Sequence, residues 1–191
     1  MERQAPKMTI RIRVATIEDA GPLAHISEKT FRASYAKFNA PEDMNAYCAE
    51  TFGKAQQTSE ILHPAKTTLL LENRGVLSGF AQICWHKAPN CSLQASSPSE
   101  VRRFYLEQNL HGTGAAQTLM NSVFKEAQKT ETDVLWLGVW TQNFKALAFY
   151  RKYGFIEVGE HTFQLGADRQ TDLILSTHLK SRAPDSPQPP P

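Results

Sequence analysis

SEVRRFYLEQNLHGTGAAQTLMNSVFKEAQ, running from Ser99 to Gln128, reads as a strand, a glycine turn and a helix in direct succession. Val101-Arg102-Arg103-Phe104-Tyr105-Leu106 mixes β-branched and aromatic residues with polar interruptions, the composition of a strand. After Gly114, apolar residues recur three and four apart at Ala115, Leu119, Met120, Val123, Phe124 and Ala127, which marks one face of a helix. The turn between them is His111-Gly112-Thr113-Gly114-Ala115-Ala116. Such a loop presents unpaired backbone N–H groups at the positive end of the helix dipole. Its small residues also let an anion approach the backbone closely. A phosphate cradle and a plain strand-to-helix turn both fit this loop. It is not a P-loop, because it has no Gly-Lys-Ser/Thr, and it is not the Gly-x-Gly-x-x-Gly of a dinucleotide fold.

Working outward, Thr9 to Val14 alternates apolar and basic residues and predicts a first strand. Thr16 followed by Asp19 resembles a capping box that opens a helix through Leu23, Ile26 and Phe31. Pro41, Gly53 and Pro64 punctuate Phe31 to Leu62 into short helices, a region expected to face substrate. Thr67–Leu71 and Val76–Trp85 read as a hairpin about Asn73-Arg74-Gly75, and Ala88 to Pro98 as a loop. Downstream, Val134 to Val139 is nearly all apolar, as in a strand buried on both faces. Thr141 to Tyr153 predicts a short helix ended by Gly154, and Phe155–Val158, Thr162–Leu165 and Thr171–Leu175 predict closing strands. The order is that of a mixed α/β sheet flanked by helices, with hairpins early and a strand–helix–strand unit in the middle. Residues 1–8 read as a leader, 9–180 as one domain, and 181–191 as a disordered, Pro-rich tail.

The bulk numbers suit one globular domain: 191 residues, 41% hydrophobic and 21% charged. A net charge of +2, spread along the chain, gives no footprint for nucleic acid. No apolar run approaches the about 18 residues that span a membrane. The N-terminus lacks the apolar core of an export signal, so a cytoplasmic location is expected. Cys48, Cys84 and Cys91 have no CxxC spacing and suit reduced thiols. The six histidines show no metal-ligand spacing, and no metal is expected.

A second block is Leu135-Trp136-Leu137-Gly138-Val139-Trp140-Thr141-Gln142-Asn143, followed by Ala148-Phe149-Tyr150-Arg151-Lys152-Tyr153-Gly154-Phe155. With the glycine loop, it makes the chain resemble the GNAT superfamily of N-acetyltransferases over about Thr9 to Leu179. The family's loop pattern, Gln/Arg-x-x-Gly-x-Gly/Ala, stands here with His111 in its first place. Two further stretches are similar to the spermine/spermidine acetyltransferase-like bacterial branch. They are Arg103–Leu106 with His111-Gly112, and Val158–Gly166 running into Asp168 and Gln170–Asp172.

The resemblance implies a mostly antiparallel sheet of about seven strands, splayed between the fourth and fifth. Acetyl-CoA would lie in that gap, between Glu100–Leu106 and Val134–Val139. Phe104 and Leu106 would offer backbone groups to the pantetheine arm, with Tyr105 between them in the cofactor site, and the amides of His111, Gly112, Thr113, Gly114, Ala115 and Ala116 would hold the pyrophosphate. Asn143 and Lys152 would lie beside the bound cofactor. The reaction would be direct attack of a primary amine on the thioester, the acceptor being a small amine with a polyamine as the leading choice. Supplying a neutral amine from an ammonium of pKa about 10.4 costs about 4–5 kcal/mol at neutral pH, so a carboxylate, Glu100 or Glu107, would help remove the proton. Tyr150 would donate to the departing thiolate.

Each of these residues also has a structural reading. Tyr150 suits a core aromatic, Asn143 an N-cap, and Glu100 and Glu107 the solvated ends of a strand. His161 and Asp172 suit either the surface or the acceptor pocket, and Trp136 and Trp140 read as packing residues. A CoA-binding sensor of the same fold and a peptide N-acetyltransferase are the alternative functions. A nucleotide-binding regulator would want a lysine and a ribose-binding acid that the loop lacks. Homodimerisation is possible in such a fold, with no contact surface marked in the sequence.

Overall fold

The computed structural model describes residues 8–165 and 168–179. The leader up to residue 7 and the tail from 181 lie outside the described residues. Seven strands form one sheet in the order β1-β2-β3-β4-β5-β7-β6. They are β1 (Ile10–Val14), β2 (Lys66–Asn73), β3 (Val76–Cys84), β4 (Pro98–Leu106), β5 (Val134–Trp140), β6 (Ile156–Leu165) and β7 (Asp168–His178). Every neighbouring pair is antiparallel except β4 and β5. Helices α1 (Ala20–Tyr35), α2 (Pro41–Phe52) and α3 (Lys54–Leu62) precede β2. Helix α4 (Ala115–Ala127) crosses from β4 to β5, and α5 (Phe144–Lys152) joins β5 to β6.

The pleat of β2 divides the core. Leu69 and Leu71 pack with Leu119, Met120 and Val123 of α4 and Leu147 of α5. Leu70, between them, turns to the opposite face with Leu23 and Ile26 of α1 and Phe80 of β3. Period-two alternation therefore sandwiches the sheet, with α1 on one face and α4 and α5 on the other. The hairpin turn is the two-residue Arg74-Gly75, both at positive φ (53° and 77°), the twist that joins antiparallel strands tightly. Thr16 and Asp19 do cap a helix start. The Asp19 carboxylate accepts the Thr16 N–H at 2.8 Å and is gripped by Arg13 at 2.7 Å, while Arg13 also reaches Glu72 at 2.6 Å.

The C-terminal part corrects one expectation. Where three closing strands are predicted, two long ones stand, because the register between Glu157 and Gly159 slips by a bulge at Val158 and β6 runs on unbroken. The glycine and charged residues that suggest a break are absorbed by that bulge.

A buried ion pair fixes α3 to the sheet. Glu60, 3% exposed, binds Arg103 of β4, which is 7% exposed, and also accepts from Gln82 at 3.1 Å and Lys66 at 3.2 Å. Burial alone would raise the Glu60 carboxyl. The charge of Arg103, the hydrogen bonds from Gln82 and Arg103, and the charge of Lys66 outweigh it and hold the group at about 2. A depressed carboxylate stabilises the fold above its unfolded value and loses that contribution as pH falls through its folded value. Melting temperature is therefore expected to drop as pH falls from about 4.5 towards about 2. In Glu60→Gln that dependence should shrink, while stability at neutral pH falls by about 3–5 kcal/mol because Arg103 is left buried without its partner. Thermal unfolding across pH checks this, and equal pH slopes in the two proteins would contradict it.

Candidate active site

β4 and β5 pair at only three positions, Pro98↔Val134, Ser99↔Leu135 and Glu100↔Trp136. Beyond them the strands part, each held by its other neighbour. β4 stays with β3 as far as Gly79↔Leu106, and β5 stays with β7 as far as Trp140↔Asp172. The divergence begins at a bulge, where Ile83 pairs with Val101 and Gln82 with Arg103, leaving Arg102 over. A bulge bends its strand and sharpens the twist. Past it, backbone N–H and C=O groups of β4 and β5 that would complete a parallel ladder have no strand opposite them, an edge inside the sheet.

The glycine loop lies at the end of β4. Gly112 and Gly114 take φ of 76° and 91°, a region side chains rarely adopt, and a Cβ on either would project into open space. Within the loop, the His111 amide bonds Gln108 and the Thr113 amide bonds Leu110. The amides of Gly112, Gly114, Ala116 and Gln117 have no protein acceptor among the described residues. Four donors at the mouth of a 13-residue helix form an anion cradle. Its residues fit a pyrophosphate without any side-chain cation.

On the α1 side of the sheet, the opening leads into a cleft of about 330 Å³. Its walls are strongly aromatic, with Phe31 and Tyr35 from α1, Tyr47 and Phe52 from α2, Tyr105 from β4, Trp140 from β5 and Phe163 from β6. Phe31 stands at the centre, its ring 4.8 Å from Tyr35, 4.9 Å from Tyr47 and 5.3 Å from Phe52. Trp136 and Trp140 pack, as expected, and also line the cleft. Trp136 Nε1 donates to the Lys87 carbonyl at 2.6 Å, and the Trp140 ring lies 4.8 Å from Phe38.

Glu100 lies on the cleft wall at the last paired position of β4, with Lys87 Nζ at 2.7 Å and Arg102 at 3.8 Å. Glu107 is not on that wall and is bound by Lys29. His161 and Asp172 both line the cleft, 3.9 Å apart. Burial lifts the Asp172 carboxyl above its usual range, and His161 pulls the other way. His161 can lie there because position 138 is glycine, where a Cβ would come within 2.8 Å of its Cε1.

Tyr150 is buried between Phe149, Phe155 and Phe104, its ring 5.5, 5.7 and 6.3 Å from theirs, and burial pushes its hydroxyl well above the ordinary value. Asn143 caps α5, its side chain accepting from the Ala146 amide at 3.2 Å, and also stands against the Tyr35 hydroxyl. Phe104 and Leu106 pack on the α4–α5 core, while Tyr105 turns to the cleft. Lys152 is exposed in the last turn of α5.

Sequence reasoning missed Arg102, Arg103 and the α1–α2 aromatics. Phe31 and Tyr35, four residues apart, share one helix face, a spacing that marks core positions as readily as a cleft wall.

The acetyltransferase (GNAT) family model matches residues 28–155. An uncharacterised N-acetyltransferase of Lactobacillus delbrueckii subsp. lactis is 30% identical over 170 residues, 89% of this chain and 98% of its own length. Another, from Mycobacterium tuberculosis H37Rv, is 29% identical over 161 residues, 84% of this chain and 98% of that one. The solved structure of PaiA N-acetyltransferase from Thermoplasma acidophilum, in complex with coenzyme A, superimposes with a TM-score of 0.73 at 23% identity, covering 90% of this chain and 99% of that one. The chain belongs to the acetyltransferase (GNAT) family. It is an acyl-CoA-dependent N-acetyltransferase with acetyl-CoA as co-substrate.

The cavity beside Gly138 yields a direct test. In Gly138→Ala, the new methyl overlaps only the far end of His161, so the fold is expected to persist while the imidazole is displaced. Acetyl transfer should fall to the level of His161→Ala, with melting temperature near that of the parent. Full activity in Gly138→Ala would show that this imidazole position does not matter.

Proposed function

We propose that the protein moves an acetyl group from acetyl-CoA to a primary amine of a small molecule by direct attack within a ternary complex. The observation that carries this reading is the parting of β4 and β5 directly beside the aromatic cleft. One opening receives an amide-bearing arm along the unpaired edges, and the other receives an amine.

Of the loop amides from His111 to Ala116, those of Gly112, Gly114 and Ala116, joined by Gln117, would hold the pyrophosphate, since His111 and Thr113 are bonded to Gln108 and Leu110. The backbone of Phe104 and Leu106, on either side of Tyr105, would hold the pantetheine arm. Asn143 and Lys152 would flank it. In the reaction, the amine nitrogen bonds to the thioester carbonyl carbon and the carbon–sulfur bond breaks. The amine's proton passes to a base in the cleft, and the departing CoA thiolate accepts a hydrogen bond from the Tyr150 hydroxyl. Burial makes Tyr150 a weaker acid than a free phenol, so its role is that of a hydrogen-bond donor to the sulfur that stays protonated.

Two bases face the cleft, Glu100 and the His161–Asp172 pair. Glu107 is a weaker choice because Lys29 holds it away from the cleft wall. The polyamine acceptor implied by the branch resemblance finds Glu100 and Asp172 in its favour. Against it stand Lys87, Arg102 and Arg103 on the same wall.

Thiol release from acetyl-CoA against a panel of polyamines, amino acids, peptides and aminoglycosides tests the function. Acceptor-dependent release is expected. CoA binding with no release from any acceptor would favour a sensor of the same fold. Tyr150→Phe is expected to lower kcat by about 100-fold with CoA affinity unchanged, and an unchanged rate at every pH would remove the donor role.

A further inference from the structure

Arg103 lies 7% exposed on the cleft wall, yet only one of its nitrogens is engaged. Its Nη1 donates to Glu60 and, at 3.2 Å, to Gln82 Oε1. Nε and Nη2 have no acceptor among the described residues. The enclosed side-chain atoms without a partner belong to Ser27, Gln57 and Asn73, so those two nitrogens are not sealed in the core. They are the adjacent donors of the guanidinium fork, spaced to receive both oxygens of a carboxylate.

The charge around them is unbalanced. Lys87, Arg102 and Arg103 line the cleft with Glu100 and Asp172, so three cations face two carboxylates, and Glu60, outside the lining, is shared by Arg103 and Lys66. The Phe52 ring lies 5.3 Å from the Arg103 guanidinium carbon, and Phe31 and Tyr47 continue the aromatic wall. A polycation placed here meets like charge, whereas a carboxylate completes the arginine. A flat ring beside it completes the aromatic cluster.

Resting on the N-acetyltransferase reading, we propose that the acceptor is an aromatic amino acid, its carboxylate held by Arg103 Nε and Nη2 and its ring seated against Phe31, Tyr47 and Phe52. Arg103 is then a specificity-determining residue, and the transfer itself is the step already described.

The test measures kcat and KM by thiol release for matched pairs: phenylalanine against phenethylamine, tyrosine against tyramine, and tryptophan against tryptamine, with spermidine added. The wild type is expected to favour the carboxylated member by about 10-fold or more in kcat/KM, the range of a charge-assisted hydrogen bond. The double variant Glu60→Leu/Arg103→Met exchanges the ion pair for apolar side chains, a replacement buried pairs tolerate. It should raise KM for the amino acids, erase the preference, and keep the thermal shift given by CoA. Where that variant does not fold, Arg102→Met, at an exposed position, should lower the same preference in part. Preference for the decarboxylated amines or spermidine overturns the proposal, as does a preference that survives in the folded double variant. Acetylation of only a peptide or aminoglycoside also overturns it, with the enzymatic reading intact. Thiol release with no amine at all overturns both.

Discussion

Everything functional here depends on one constraint: β4 and β5 begin as partners and cannot remain so. Each is tied along its length to another strand, β4 to β3 and β5 to β7, and those ladders diverge from the bulge at Arg102 onward. A parallel pair that stopped because its strands ended would leave no edge. This pair stops while both strands continue, to Leu106 and Trp140. Unpaired backbone in the middle of a sheet is costly unless something else bonds to it, and an amide-containing arm is chemically suited to that place. The same bulge brings Arg102 and Arg103 to the cleft wall together.

The two halves of the site use different physics. The loop end is made of backbone alone: positive-φ glycines, four amides without protein partners among the described residues, and a helix behind them. The cleft end is made of side chains, chiefly aromatic rings, with its polar groups drawn into pairs. Burial raises the phenols of Tyr35, Tyr105 and Tyr150 above their ordinary value.

The loop end was legible in the sequence because its determinants are local. Gly112 and Gly114 mark a turn only glycine makes easily, the α4 periodicity follows at once, and the apolar run from Val134 announces a buried strand. The cleft end was largely hidden, because its determinants are relations between distant segments. The bulge depends on how β3 aligns with β4, which neither strand reveals alone. Arg103 meets Glu60, 43 residues away, only after α3 packs on the sheet. Phe31, Tyr35 and Tyr47 carry the pattern of ordinary core positions, and nothing local shows that they wall a cleft. The Val158 bulge likewise joined two segments into β6.

That the parted strands and the glycine loop together receive coenzyme A is open to direct measurement. Amide hydrogen exchange with and without CoA measures this residue by residue. New protection is expected at 101–106 of β4, at 137–140 of β5 and at 112–117 of the loop, with the outer strands unchanged. CoA that binds while leaving those amides as exchangeable as before would contradict it.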